Sequence, residues 1–237
     1  MGNHEHNALC YATADGRGGF LRSHTEPHVH QHAKTLEAFA EHPAEWALYL
    51  DWFRRLPLCL EFPGLRLVHA TWDDACAEIA RQHTYWDAAA LRASRQKGTA
   101  LYRAVETMLK GIEVQLPDGL SIADKEGHCR TEMRVRWWLP GVGRTYAELC
   151  IPHSPLAPAV PLAEALAAQL TGYPAEAPPL FIGHYWLSEA TAQRLAPNVA
   201  CLDYSVAKGG FVAAYRWDGE TTIADEKFIQ AGAASSV

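Results

Sequence analysis

The sequence has no long apolar run and no excess of basic residues. None of its apolar stretches reaches the roughly 18 residues that a membrane-spanning helix needs, because Glu, Asp or Arg interrupts each of them. Its 27 acidic residues outnumber its 21 lysines and arginines, and the formal net charge is −6 at pH 7. A chain with this charge has no basic footprint for a nucleic acid. The composition therefore predicts that neither a membrane nor a nucleic acid is a partner.

The chain also lacks a Cys-x-x-Cys pair and a basic-then-apolar signal sequence at its start. Its six cysteines are scattered along the chain, and several of them stand inside apolar runs. The six are Cys10, Cys59, Cys76, Cys129, Cys150 and Cys201. This pattern favours reduced, buried thiols over a disulfide framework. Both absences predict a cytoplasmic protein.

The sequence contains enough apolar residues to form one hydrophobic core. Of its 237 residues, 49% are hydrophobic, which predicts a single domain extending through residue 229. The last residues, 230–237, are rich in Ala and Ser and predict a disordered tail.

The local patterns predict both helices and strands. After an opening loop that reaches Gly19, helical patterns cover four regions: Pro27 to about Glu41, Pro43 to Arg55, Ala75 to Arg81 after a cap at Asp73, and Trp86 to Lys110 with a break at Gly98. Strand patterns cover a hairpin, a buried strand and a meander: Cys59–Phe62 with Leu65–Val68 around Pro63-Gly64, Leu180–Ile182, and segments between Asn198 and Ala224.

An arginine-rich strand is predicted between His128 and Trp138, where polar and apolar residues alternate. Two interpretations remain open for its polar side. Arginines stacked on Trp137 and Trp138 would accept a nucleotide base or a phosphate. Alternatively, the segment is an edge strand with ion pairs to Glu126 and Glu132.

Three short motifs carry candidate metal ligands. The chain opens with Gly2-Asn3-His4-Glu5, and two later histidines, His69 and His184, each end an apolar run. An asparagine carbonyl and two imidazoles are ligands suited to a borderline divalent cation such as manganese, iron or zinc. Taken singly, each motif is more often a turn or a core histidine. A ligand at the end of a strand, however, is held by a rigid scaffold.

As a set, these motifs resemble the later motifs of the calcineurin-like metallophosphoesterases. That superfamily includes phosphoprotein phosphatases and symmetrical dinucleoside tetraphosphate hydrolases. The segment from Cys201 through Asp203 to Ser205, followed by Gly209-Gly210, is similar to the family's closing segment. The resemblance runs from Gly2 to about Glu220. It implies an α/β fold, the family's β-sandwich flanked by helices in four layers, α-β-β-α.

The resemblance also implies a chemistry. In the family, two metals share a bridging aspartate and a hydroxide that attacks phosphorus, while a histidine protonates the leaving oxygen. By that pattern Asn3, His69 and His184 hold one divalent metal, Mn, Fe or Zn, and His4 is the general acid. Substrates would be a phosphorylated small molecule, a dinucleotide or a phosphoprotein.

The family's opening motifs, Asp-x-His and Gly-Asp-x-x-Asp-Arg-Gly, do not occur before Gly2. They supply the second metal's ligands, the bridging aspartate and a phosphate-gripping arginine. We therefore expect a chain that has lost the family's first strands, holds at most one metal and has impaired activity. The alternative function is a non-catalytic remnant or binding protein with at most one weak metal site.

Overall fold

Eight helices and four sheets make up the part of the chain that the computed structural model describes, residues 1–123 and 129–232. The helices are α1 (Asn3–Ala12), α2 (Glu26–Ala38), α3 (Pro43–Phe53), α4 (Asp74–Arg81), α5 (Ala88–Ser94), α6 (Ala100–Lys110), α7 (Tyr146–Leu149) and α8 (Glu164–Ala167). The protein is therefore mixed α/β, as the coarse sequence pattern predicted.

The strands are short. They are β1 (Cys59–Phe62), β2 (Leu65–Val68), β3 (Glu113–Gln115), β4 (Ile122–Ala123), β5 (Cys129–Arg130), β6 (Glu132–Arg134), β7 (Leu180–Ile182), β8 (Arg194–Ala196), β9 (Val199–Cys201), β10 (Asp203–Tyr204), β11 (Phe211–Tyr215) and β12 (Phe228–Ala231). Within the described residues, no helix has the length and apolar character needed to span a membrane.

The backbone divides into two compact units. Unit 1 comprises Met1–Leu60 and Trp72–Lys110, and unit 2 comprises Glu61–Thr71 and the residues from Gly111 onward. The single domain that we predicted through residue 229 remains a prediction.

Local helix signals account for most of unit 1. Asp73 caps α4, because its carboxylate accepts a hydrogen bond from the backbone N–H of Cys76 at 2.7 Å, and Asp87 caps α5 in the same way. Gly98, with φ +85°, separates α5 from α6 where the sequence predicted a break. The predicted apolar side of α6 is buried: Leu101, Val105, Met108 and Leu109.

Helix α1 was missed by the sequence analysis, which predicted an opening loop. The helix begins directly at Asn3, because the Glu5 carboxylate accepts a hydrogen bond from the backbone N–H of Gly2 at 2.7 Å and so closes the first turn. Further along, Ala8, Leu9 and Cys10 are buried. The opening motif therefore lies on a helix rather than in a turn.

His6 is the polar member of the buried side of α1. Its Nε2 lies 2.9 Å from the hydroxyl of Ser94, which itself donates to the carbonyl of Leu91 at 2.8 Å. Because that hydroxyl proton is used, His6 must be the donor, in its neutral Nε2–H form. Burial first, and then the charges of Arg95 and Lys110, lower the pKa of His6 from 6.5 to about 3.

Acidification is expected to destabilise the protein through His6. The unfolded chain binds a proton below the ordinary pKa of 6.5, whereas the folded chain resists protonation down to about 3. The stability that neutral His6 contributes is therefore complete above 6.5 and is lost as the pH falls through this window. The free energy of unfolding, measured by urea titration, should decrease by up to about 1.4 kcal/mol per pH unit.

The matched control uses two histidines. His6→Gln removes the buried titrating group, so its free energy of unfolding should depend less steeply on pH than that of the wild type. His153 is exposed, and His153→Gln should keep the wild-type dependence. Equal slopes for the wild type and His6→Gln would show that His6 does not titrate on unfolding.

The largest sheet has five strands in the order β1-β2-β7-β9-β8, and β2, β7 and β9 run parallel. All residues of β7 and β9 are buried, as expected for apolar strands covered on both faces. Phe181, Ala200 and Ile223 form a core cluster with partly buried side chains around it: Leu65, Leu67, Leu202, Tyr215 and Phe228. The predicted bounds of β1, β2 and β7 are confirmed.

The predicted meander after Asn198 is only partly right. Strand β9 pairs with β7 in the five-stranded sheet, while β10, β11 and β12 form a separate antiparallel sheet. An all-apolar Val-Ala-Cys strand belongs between covered faces, which a half-exposed meander does not offer. Of the predicted tail, Gln230 and Ala231 belong to strand β12 and Gly232 follows it, while residues 233–237 lie outside the described residues.

The arginine-rich segment forms β5 and β6. Met133 is buried and Arg134 pairs with Glu113 of β3 at 3.4 Å, which is an edge-strand ion pair of the kind one interpretation expected. Glu126, one of the predicted partners, lies outside the described residues. All six cysteines are free thiols, as predicted. Cys10, Cys76, Cys150 and Cys201 are buried, whereas Cys59 is half-buried and Cys129 is exposed.

Candidate functional site

His69 and His184 come together in unit 2. Each follows a strand, β2 and β7 respectively, and these strands are parallel neighbours. The carboxyl ends of parallel strands share one edge of a sheet, which is where α/β proteins commonly bind ligands. The two imidazole centroids lie 5.1 Å apart, with the ring planes at 67°. The backbone N–H of Gly183 donates to the carbonyl of His69 at 2.8 Å, which fixes the two strand ends together.

Gly183 keeps the space beside His69 open. A methyl group at this position would lie 3.8 Å from Nδ1 of His69 and 3.9 Å from Cβ of Asp203. Any longer side chain would therefore occupy the volume between the imidazole and the end of β9. Gly183 therefore leaves His69 accessible and also allows the backbone to turn before His184.

Three non-glycine residues adopt left-handed backbone conformations in the loops at this edge. They are His184 (φ 70°), Trp186 (φ 52°) and Ser205 (φ 56°). Each costs of the order of 1 kcal/mol or more, and such strain clusters at functional sites when the surroundings enforce it. Here the strain sets the direction in which the backbone presents His184.

Asp203 is the residue that holds these loops. Its carboxylate accepts from the backbone N–H of Ser205 at 3.1 Å and of Trp186 at 3.4 Å, while its own carbonyl accepts from Leu187 at 2.9 Å. These bonds are those of a turn residue. They add a task that the sequence did not reveal, which is to brace the loop that carries His184.

Tyr185 is a second supporting residue, and sequence reasoning missed it. The side chain is fully buried; its hydroxyl donates to the carbonyl of Ala70 at 3.3 Å and lies 3.2 Å from the hydroxyl of Thr71. Burial raises the pKa of this phenol, which stays protonated. The residue after His184 is thus tied to the two residues after His69. A tyrosine beside a candidate ligand is the only sequence signal that pointed to it.

Asn3 and His4 belong to unit 1, at the start of α1. Asn3 is half-buried and His4 is exposed. Successive helical residues differ in direction by about 100°, so the two side chains leave the helix on different sides. The structure thus brings together two of the four predicted site residues, His69 and His184, within one unit.

The donor set suits a metal ion in part. Two imidazoles at this separation can serve as two nitrogen ligands of a borderline divalent cation. Among residues 1–123 and 129–232, no group of three or more His, Cys, Asp or Glu side chains is arranged to hold a metal. The amide of Asn3 is the third predicted ligand. No family model matches this chain, and no curated protein matches it either.

Proposed function

We propose that this protein is a metal-dependent phosphoester hydrolase of the calcineurin-like type, built on that family's four-layer α-β-β-α sandwich. The observation that carries the proposal is the approach of His69 and His184 at the carboxyl ends of adjacent parallel strands. The two motifs that contain them are far apart in the sequence, and a shared ligand gives a reason for their meeting. The strained loops around them are a second support.

The residues have distinct roles in this proposal. His69 and His184 of unit 2 would hold a divalent cation, which when bound would supply positive charge against the phosphoryl oxygens, and the family resemblance adds Asn3 as the third ligand. By the same resemblance His4, which is exposed, is the general acid that protonates the leaving oxygen. The enzyme is expected to turn over slowly, because a single cation cannot clamp both the attacking and the leaving oxygen. Its substrates are phosphorylated small molecules, dinucleotides or phosphoproteins.

The test is a phosphatase assay on metal-free protein with an aryl phosphate, before and after addition of Mn²⁺, Fe²⁺ or Zn²⁺. Release of the aryl alcohol should depend on one of these ions, be reversed by a chelator and decrease in His4→Asn. His42→Asn is the control for His4, because it is also an exposed histidine of unit 1 and should retain full activity. Turnover that ignores metal and chelator would contradict the proposal.

A second candidate is a binding protein with one weak metal site. What favours it is the ligand set, since two imidazoles and an amide bring no negative charge and hold a divalent ion weakly. It predicts metal binding by calorimetry that depends on His69 and His184, without release of phosphate from any ester. His4→Asn would then change nothing.

A further inference from the structure

The loop after β7 brings a tryptophan to the edge of the sheet where His69 and His184 lie. Trp186 follows His184 by two positions and is half-buried, so part of its surface is open to solvent. Its backbone is left-handed, with φ 52°, and a non-glycine residue in this conformation costs free energy. The parallel neighbour β9 ends at the same edge, where α/β proteins commonly bind ligands. Trp186 is therefore held at a cost, two residues from a candidate metal ligand.

Hydrogen bonds join this loop to the segment after β9. The Asp203 carboxylate accepts from the backbone N–H of Trp186 at 3.4 Å. The next residue, Leu187, donates its backbone N–H to the carbonyl of Asp203 at 2.9 Å. The carbonyl of Leu187 accepts from the hydroxyl of buried Ser205 at 3.0 Å. The indole of Trp186 is therefore presented from a braced support, which a binding site needs.

A lysine lies over this indole. Lys208 ends a 3₁₀ turn, Val206–Lys208, and its Nζ lies 5.7 Å from the centroid of the Trp186 ring. At that separation a cation and an aromatic ring attract each other. The backbone N–H of Lys208 donates to the carbonyl of Ser205 at 2.8 Å, which ties the turn to the braced segment. Because Lys208 is exposed, an aromatic surface and a cationic group lie together where a ligand is able to reach them.

The chemistry of this pair matches a flat ring that carries a phosphate. An aromatic side chain stacks on such a ring whatever its hydrogen-bonding groups, because every such ring has a π-face. An ammonium group attracts a phosphate as a point charge. Aromatic surface with a few charged groups beside it is also the usual lining of a small-molecule site.

We propose that Trp186 and Lys208 form a subsite for aromatic phosphoesters, with the ring of the ligand against the indole and its phosphate toward the ammonium group. The ring is a nucleobase or a phenyl group, which present the same stacking surface. The inference rests on the proposed function, because it takes the phosphate held there to be the ester that is hydrolysed. It narrows the substrates of that site to those with an aromatic group.

The experiment is calorimetric titration of metal-free protein with AMP, phenyl phosphate and ribose 5-phosphate. Ribose 5-phosphate has the sugar and phosphate of AMP but no ring to stack. We expect the wild type to bind both aromatic phosphates about fivefold to a hundredfold more tightly than ribose 5-phosphate, which is what stacking on one aromatic side chain contributes. Tighter binding of AMP than of phenyl phosphate would identify the nucleobase as the preferred ring.

The variants separate the ring from the charge. Trp186→Leu should abolish the preference for aromatic phosphates, while Trp186→Phe, which keeps a stacking surface, should retain most of it. Lys208→Gln should weaken all three ligands by about tenfold, because it removes the charge that faces the phosphate. Trp217→Leu is the matched control and should bind as the wild type does. Trp217 is also a half-buried tryptophan of unit 2, but it lies against Gly64, before β2 rather than after it.

The outcomes also separate the subsite from the hydrolase. Binding of AMP or phenyl phosphate that depends on Trp186 supports the subsite even if no ester is cleaved. Metal-dependent cleavage without any preference for aromatic phosphates would support the hydrolase and overturn the subsite. An affinity unchanged in Trp186→Leu, or reduced equally in Trp217→Leu, would overturn it as well. Should Trp186→Leu fail to fold in thermal unfolding, the wild-type preference and the loss in Lys208→Gln decide the question, and the absence of either would overturn the subsite.

Discussion

His184→Ala is expected to weaken binding of the divalent cation at least about 100-fold, the upper end of what losing even an outer partner of a ligand costs. Hydrolysis should fall by at least a similar factor, because the charge against the phosphoryl oxygens is lost. His69→Ala should behave alike, since the centroids of the two imidazoles lie 5.1 Å apart and we propose that both bind the same ion. Competition with a chelating dye measures the affinity, and the aryl phosphate assay measures the rate.

The double variant and a surface control sharpen this prediction. If one ion needs both histidines, the variant lacking both should be little worse than either single variant, because residues acting as a unit are not additive. His153→Ala changes an exposed histidine of unit 2 and should leave both measurements unchanged. Additive losses in the double variant would mean that His69 and His184 act separately.

Elements with strong local signals could be predicted from the sequence. The hairpin around Pro63-Gly64 and the cap at Asp73 depend on residues within a few positions of each other, and both are confirmed. The prediction of an opening loop in place of helix α1 was wrong, because the start of the helix depends on a contact between Gly2 and Glu5. The Gly-Asn-His sequence by itself is typical of a turn. The predicted pairing of β9 was wrong, because the partner of a buried strand depends on the packing of the whole sheet and not on the local sequence.

In the candidate site too, features with a local sequence signal could be predicted and features that depend on distant contacts could not. His69 and His184 could be predicted to stand at strand ends, because the apolar runs before them are visible in the sequence. The bracing of their loops by Asp203 and Tyr185 could not, since it depends on hydrogen bonds between loops distant in the chain.

Two adjacent glycines in the closing segment differ in what surrounds them. Gly209 has φ +87° and open space where a side chain would stand. At Gly210, a methyl group would overlap the carbonyl oxygen of Tyr204 and lie 3.0 Å from that of Ser205. The backbone N–H of Gly210 also donates to the carbonyl of Ser205 at 3.0 Å. The turn that brings β10 to β11 therefore leaves room for no side chain at this second glycine.

Gly210→Ala should consequently lower the free energy of unfolding by about 3 kcal/mol or more, because the obstacle is backbone and no side chain can move aside. Gly209→Ala is the matched control, since it meets only the cost of a left-handed backbone, about 1–2 kcal/mol. Urea titrations of both variants measure the difference. The same distortion would reach Ser205 and Asp203, so Gly210→Ala should also weaken metal binding at His184, whereas Gly209→Ala should not. An equal loss of stability in the two variants would contradict the packing at Tyr204.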